Sequence, residues 1–391
     1  MTWLRRALWA VTPLAWSAGA LSLACFLLAR WLAAPAFAAM GLCLGLLIAM
    51  SAALVLLPGR ADVRLRMQPA RAVVGAVSVA HLEVRNRGWL PLVQSGVSLP
   101  ALGDVHLAGV GVLSRHGTAS STVPLPAARR GVHLIGPAAV LRHDPLGLFR
   151  KQCGISQPVE FYVRPRTVPV DSLGVGQASD LEGIASDEIS MSDLAFHALR
   201  EYAPGDDLRH VHWRSSAKAD RLLVRQYHDT RRSRVTVLVD TESGAFHSTR
   251  EFELALSIAA SVATRALQDD LEISFHCGEE GVVHGTSDEV LDAVCRAERG
   301  RVGLDAVVFR ALTDGGGETP GLVVLVTGGA RAEQEVRQLL SGFPRDARAL
   351  VLRARAGFEP RLQVGHSFAE ASVGDLDELP RAMSQFLRGG V

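Results

Sequence analysis

The chain of 391 residues is long enough for two or three domains. Its 41 Lys and Arg offset 40 Asp and Glu, which excludes the broad basic footprint of a nucleic-acid-binding protein, so no nucleic-acid partner is expected. Five cysteines, Cys25, Cys43, Cys153, Cys277 and Cys295, show no CxxC spacing and read as small buried hydrophobes in a reducing compartment, not as a disulfide framework or a zinc site.

Two apolar stretches open the chain, about residues 9–29 and 36–57, each near the ~20 residues that cross a bilayer. A signal peptide competes for the first, but the second follows at once and favours a two-helix transmembrane hairpin over residues 1–60. Arg5 and Arg6 precede the pair and Arg60, Arg64 and Arg66 follow it, against Arg30 alone between them. The positive-inside rule then turns both termini and the soluble regions to the cytoplasmic side of the cell (inner) membrane.

Residues 61–170 change to apolar–polar alternation, clearest at 63–67, 77–84, 93–99, 132–135 and 159–163, with Gly, Pro and Asn between the runs. Short strands at this spacing predict a β-sandwich domain, with a turn at Asn86–Gly88. His81, His106, His116, His133 and His143 lack ligand spacing and read as surface residues. Asp144-Pro145 with Gly147 is a turn that Leu146, Leu148 and Phe149 anchor to a core. Residues 171–196 are rich in Gly, Ser, Asp and Glu and form an exposed connector.

Residues 197–232 interleave acids and arginines with Tyr202, Trp213 and Tyr227. Pro204 and Gly205 suit a turn, Asp206 can cap a short helix through Leu208, Val211, His212 and Ser215, and 222–227 reads as a strand. From 233 to 391 the chain alternates buried strands (235–239, 271–276, 322–327, 349–353) with amphipathic helices (249–269, 288–298, 330–340, 376–387). Such alternation predicts an α/β domain with a mostly parallel, doubly wound sheet. Ligands on these sheets bind beyond the strands' carboxyl ends, which brings Asp240–Gly244 and Thr327–Gly329 to one edge.

The stretch Leu199–Arg209 (LREYAPGDDLR), continuing to His212, Trp213, Arg214 and Ala217, resembles the signature of the bacterial domain of unknown function 58 family. Arg130-Gly131 and Asp144–Phe149 resemble that family's upstream marks. The resemblance implies a signature network of Arg200, Glu201, Tyr202, Pro204, Gly205, Asp206, Asp207, Arg209, His212, Trp213 and Arg214. It also implies a von Willebrand factor A-like α/β domain and a MoxR-type AAA ATPase as partner. Domains of that type often hold a divalent metal in an Asp-x-Ser-x-Ser loop aided by a Thr and an Asp. Here Asp240 fits the first position, Glu242 and Gly244 replace the two Ser, Ser243 lies between them, and Thr327-Gly328-Gly329 lacks the acid. Either Asp240 still holds Mg²⁺, with Glu242 supplying an oxygen, or the loop has kept its shape for partner binding and lost the ion.

No catalytic pattern emerges: Asp314–Gly317 lacks the Lys-Ser/Thr of a phosphate loop, and no Gly-x-Ser-x-Gly elbow occurs. Asp206, Asp207, His210 and His212 could form an acid–base or metal cluster, but Arg209, Arg214 and Arg225 favour a structural salt-bridge network around Trp213. The expectation is a membrane-anchored, non-catalytic adaptor acting with a MoxR-type ATPase in assembly of envelope proteins. A membrane-tethered hydrolase using the Asp/His cluster and a purely structural scaffold are the alternatives.

Overall fold

The structure is a computed structural model describing residues 11–56, 59–89, 91–173, 195–202, 211–219, 221–228, 234–300, 302–314, 319–344, 347–358, 361–365 and 368–388. The chain divides into two compact units, Met1–Arg164 and Pro165–Val391.

The first unit begins with two antiparallel helices, α1 (Pro13–Leu32) and α2 (Pro35–Leu56). Thr12 caps α1 with its hydroxyl on the Ala15 amide, and Pro13, which has no N–H to leave unpaired, takes the first helical position. Leu21, Leu23, Leu27, Trp31, Leu42 and Leu46 all point outward from the pair. Small residues face inward: the Ser22 hydroxyl donates to the Gly41 carbonyl at 2.9 Å, and a Cβ on Gly41 would sit 3.2 Å from the Phe26 ring. Both helices are long and apolar enough to cross a membrane.

Ten strands follow in three sheets. One joins β1 (Ala61–Gln68), β3 (Val77–Asn86) and β6 (Thr118–Pro126); a second joins β2 (Arg71–Val73), β10 (Val159–Arg164) and β7 (Gly131–Ile135). A third runs β5 (Asp104–Leu113), β4 (Leu92–Ala101), β8 (Ala139–His143), β9 (Arg150–Ile155). They enclose one core built on a period of two: in β3, Ala80, Leu82 and Val84 are buried while His81, Glu83 and Arg85 face solvent. The five predicted runs fall within β1, β3, β4, β7 and β10. At the predicted turn, Asn86 accepts from the Gly88 amide at 2.8 Å and donates to the Ser114 carbonyl at 3.1 Å.

The turn at Asp144 does more than anchor a loop. Its carboxylate is buried and accepts from the amides of Phe149 at 2.6 Å and Leu146 at 3.1 Å, and Gly147 supplies a φ of 69°. The outer side of this turn holds the start of α1: the Thr12 amide and hydroxyl both donate to the Leu148 carbonyl at 2.9 Å, and the hydroxyl also reaches the Gly147 carbonyl at 2.9 Å. Burial pushes the Asp144 carboxyl up, but the amides of Phe149, Leu148 and Leu146 and the Ser51 hydroxyl outweigh it and hold its pKa below the ordinary value.

The second unit starts earlier than the predicted boundary at 170. Val170 and Leu173 are buried in its core, and the Leu173 amide donates to Asp269 at 3.0 Å. Most of the predicted connector, 174–194, lies outside the described residues. A two-stranded sheet, β11 (Ala195–Glu201) with β12 (Leu223–His228), brackets the short helix α3 (Trp213–Ala219). The sequence pattern predicts a strand only at β12.

The remaining strands form one seven-stranded sheet of order β15 (Glu280–Val283), β14 (Glu272–Cys277), β13 (Arg234–Val239), β16 (Leu322–Gly328), β17 (Arg348–Ala354), β19 (Ala369–Val373), β18 (Arg361–Val364). The five inner strands are parallel and the two outer ones antiparallel. One face packs Val237, Val239, Phe275, Val324 and Leu352 against α4 (Thr249–Gln268), α5 (Ser287–Arg296) and α8 (Leu379–Arg388). The other packs Leu238, Val323, Leu325 and Val351 against α6 (Leu304–Asp314) and α7 (Glu333–Leu340). Coverage on both faces explains why these strands read as unbroken apolar runs. α6, β15, β18 and β19 are additions to the predicted elements.

Candidate functional site

The parallel pairing of β13 with β16 sets Val239 opposite Val326, so both strands release their next residues, Asp240 and Thr327, at the same carboxyl edge. Both side chains are fully buried. The Thr327 hydroxyl donates to Asp240 Oδ2 at 2.7 Å, and the Glu242 amide donates to Oδ1 at 3.0 Å. Gly328 then lets the one-turn helix Ser243–Ala245 close over the strand end, because a Cβ there would lie 2.1 Å from the Ala245 carbonyl oxygen.

The centre of this cluster is a residue the sequence reading did not single out. Arg331 lies just before α7 and turns its guanidinium onto the carboxylates. Its Nε donates to Asp240 Oδ2 at 3.0 Å and one terminal nitrogen to Oδ1 at 3.2 Å, the forked geometry of an Arg–carboxylate pair. The same nitrogen reaches Glu242 at 2.6 Å, and the other meets Glu335 on α7 at 3.1 Å. Behind it, buried Arg353 binds the Arg331 carbonyl and pairs with Glu370 at 2.7 Å.

The charges fit this geometry. Burial works against the Arg331 charge, but Glu242, Asp240 and Glu335 together raise its pKa. Burial pushes the Asp240 carboxyl above its ordinary value, while Thr327, Arg331 and the Glu242 amide pull it back.

This arrangement does not fit a divalent metal. Mg²⁺ demands a near-octahedral set of free oxygens. Here both Asp240 oxygens and the nearer Glu242 oxygen already accept from a guanidinium that occupies the space between them. The Ser243 hydroxyl donates instead to the Gly300 carbonyl at 3.1 Å, and Gly244 offers no side chain. In this arrangement Asp240 has no oxygen left to offer Mg²⁺, and Arg331 supplies the positive charge from within the chain. Among the described residues no three or more His, Cys, Asp or Glu side chains gather as metal ligands. The sequence signal lay in an arginine standing close behind Thr327, where an acid was expected; only the pairing of the two strand ends shows which carboxylates it meets.

Of the signature network, residues 203–210, with Pro204, Gly205, Asp206, Asp207, Arg209 and His210, lie outside the described residues. Arg200 and Glu201 belong to β11 and are described by backbone alone, with Tyr202 just beyond. His212 Nδ1 accepts from the Ser215 amide at 3.2 Å, so this imidazole caps α3. Trp213 opens that helix 64% exposed, and Arg214 is exposed beside it. Ser216 ties α3 to β12, accepting from the Leu223 amide at 2.8 Å.

None of the curated proteins matches the chain. Among solved structures, a CARDB domain from Pyrococcus furiosus crystallised with di-metal ions is 14% identical, with 27% of this chain and 91% of that one covered and a TM-score of 0.21. The Pseudomonas fluorescens alkylpurine DNA glycosylase AlkC is 12% identical over 30% of this chain and 34% of its own, at 0.21. Cwp6 from Clostridium difficile is 11% identical over 75% and 38%, at 0.16. At such scores the likenesses carry no inference about fold or function. Residues 198–280, from β11 through the signature, Asp240 and α4 to β14, match the family described as "Protein of unknown function DUF58", and it is in this stretch that the chain bears that family's mark.

Proposed function

We propose that this protein is a membrane-anchored, non-catalytic adaptor that presents the carboxyl edge of its second sheet to a partner. The observation that carries the reading is the state of the edge carboxylates. Asp240 is sealed beneath Arg331 and saturated with donors, an arrangement suited to holding a surface in shape and ill suited to proton transfer or metal chemistry. Glu242, Arg331 and Glu335 are then the charged groups that a partner meets at this edge.

The order of five parallel strands between antiparallel edges, with helices on both faces, supports a von Willebrand factor A-type domain. The three sheets about one core support a β-sandwich ahead of it. The two apolar helices support an anchor in the inner membrane with both soluble regions cytoplasmic, and the family resemblance supplies a MoxR-type AAA ATPase as the partner, with assembly or maintenance of envelope proteins as the process. His212, one of the four residues of the hydrolase alternative, spends its Nδ1 on a helix cap, which favours the adaptor.

The test is recovery of partners from native membranes by full-length protein, wild type against Glu242→Ala/Glu335→Ala, with the eluate identified by mass spectrometry. A MoxR-type ATPase captured by wild type and lost from the variant supports the edge as the docking surface. Capture that survives the change moves the contact elsewhere, and wild type without any such ATPase ends the adaptor reading.

A further inference from the structure

Beside Arg331, at the same carboxyl edge, lies a cavity of about 580 Å³. Its wall comes from the last strands of the sheet. Register sets Arg353 of β17 beside Ser372 of β19, and Ser372 beside Arg361 of β18, with Glu370 and Gln363 paired one row along. Alternation along each strand turns these five side chains to one face. The rim is the turn after β17, where Gly374 approaches the backbone so closely that a Cβ would lie 1.9 Å from the Phe358 carbonyl oxygen. The Arg355 amide donates to the Val373 carbonyl at 2.9 Å and the Gly357 amide to that of Gly374 at 3.2 Å. A turn pinned in this way holds the Phe358 ring out at the mouth, 64% exposed.

Among the described residues the charge in this cavity is unbalanced. Both of its carboxylates are already paired, Glu370 with Arg353 at 2.7 Å and Glu333 with Arg337 at 2.7 Å. Arg331 is taken by Asp240, Glu242 and Glu335. Arg355 and Arg361 line the same space, and among the described residues neither has an acidic partner. Two guanidiniums, a Gln amide, a Ser hydroxyl and one exposed ring form a receptor for two anionic groups joined to an apolar one. The donors stand in a row on a strand face rather than in a nest of backbone amides around a single phosphate. β18 is also the outermost strand of the sheet, where an extended backbone can lie alongside.

We propose that this cavity receives an extended acidic peptide segment of the partner, with carboxylates at alternate positions on Arg355 and Arg361 and an apolar side chain against Phe358. This rests on the adaptor reading and supplies the chemistry of what the adaptor grips. A blocked, fluorescein-labelled hexapeptide Gly-Glu-Ser-Glu-Ser-Leu tests it by anisotropy with the full-length protein in nonionic micelles, against its Gln-for-Glu counterpart.

Wild type is expected to favour the Glu peptide at least about tenfold, and Arg355→Ala/Arg361→Ala to lose roughly tenfold for each charge-assisted bond removed. Arg361→Glu, changed at an exposed position, gives a second reading should the double variant melt early. Equal binding of the two peptides, binding untouched by the Arg changes, displacement by pyrophosphate at lower concentration than by the peptide, or a preference for vesicles of anionic lipid would each overturn the proposal. Peptide discrimination that fails while wild type still captures the ATPase removes the cavity alone. Failed capture with intact peptide binding removes the adaptor reading and leaves the cavity.

Discussion

Arg331→Ala is the sharpest test of how the strand-end cluster is held. The change removes the cation from a carboxylate with no exposure to water, leaving Asp240 with only the Thr327 hydroxyl and the Glu242 amide. Deleting one partner of a buried ion pair costs about 3–5 kcal/mol, because the other charge stays behind uncompensated. Glu242 and Glu335 are substantially exposed and add at most about 1 kcal/mol together. Hydrogen exchange on the full-length protein reads this loss locally. Amides of β13 and β16 that open only with the whole unit should exchange roughly 10²- to 4 × 10³-fold faster, at 1.4 kcal/mol per decade. The pH dependence carries a further signature. Asp240 is already raised above its ordinary value by burial, and without Arg331 it rises more. A carboxyl raised in the folded state gives stability below its unfolded value and loses it as pH climbs through the folded one. The deficit of the variant therefore widens as pH rises from the ordinary carboxyl value of 3.8 toward neutrality. Exchange in β13 and β16 within about threefold of wild type at the upper pH, where 3 kcal/mol is due, would show that Asp240 does not depend on Arg331.

Three other outcomes follow from the same geometry. Millimolar Mg²⁺ or EDTA should leave the melting of wild type unchanged, since Arg331 fills the cation position, and a reproducible upward shift with Mg²⁺ would contradict that. Asp144→Ala should strip the first unit of about 2–4 kcal/mol by orphaning the Leu146 and Phe149 amides. In wild type this contribution is complete above the ordinary carboxyl value of 3.8 and fades as pH falls below it, because the folded pKa is depressed; acid unfolding of the two units followed by exchange checks both statements. His276, fully buried on β14 with its Nε2 on the Ser274 hydroxyl at 2.9 Å, is held below its ordinary 6.5 chiefly by burial, with Asp314 opposing and Arg310 assisting. A histidine depressed in the folded state makes stability rise with pH up to its unfolded value, so the second unit should strengthen as pH rises toward 6.5 and level off above it, and His276→Gln should flatten that slope.

Much of the second sheet was legible because both of its faces are covered, so strands such as Val235–Val239 and Leu322–Thr327 announce themselves as uninterrupted apolar runs. The outer strands β15 and β18 are four residues each and pair on one side only, which leaves too short and too polar a pattern to read. In the first unit β3 alternates cleanly, while β5 and β6 are largely exposed and carry Gly109, Gly111 and a run of Ser and Thr, so packing did not write itself into their composition. Helix α6 is a different case: Leu304, Val307, Val308 and Ala311 recur at helical spacing, a signal fully present in the chain. The site was half visible. Asp240, Glu242 and Thr327 follow from strand ends and spacing, but the partnership with Arg331 spans 91 residues and exists only once β13 and β16 lie side by side.

The turn that grips Thr12 has a mechanical consequence. A membrane helix joined to its soluble region through a slack tether leaves that region free to wander over the lipid. Here α1 is fastened at its first turn by three short hydrogen bonds to Gly147 and Leu148, in a turn whose own shape is locked by Asp144. With α1 and α2 in a bilayer as proposed, the first unit stands on the lipid as a rigid foot. A pull on its sheets would then be felt as a change of helix tilt, a response that tethered attachment would absorb.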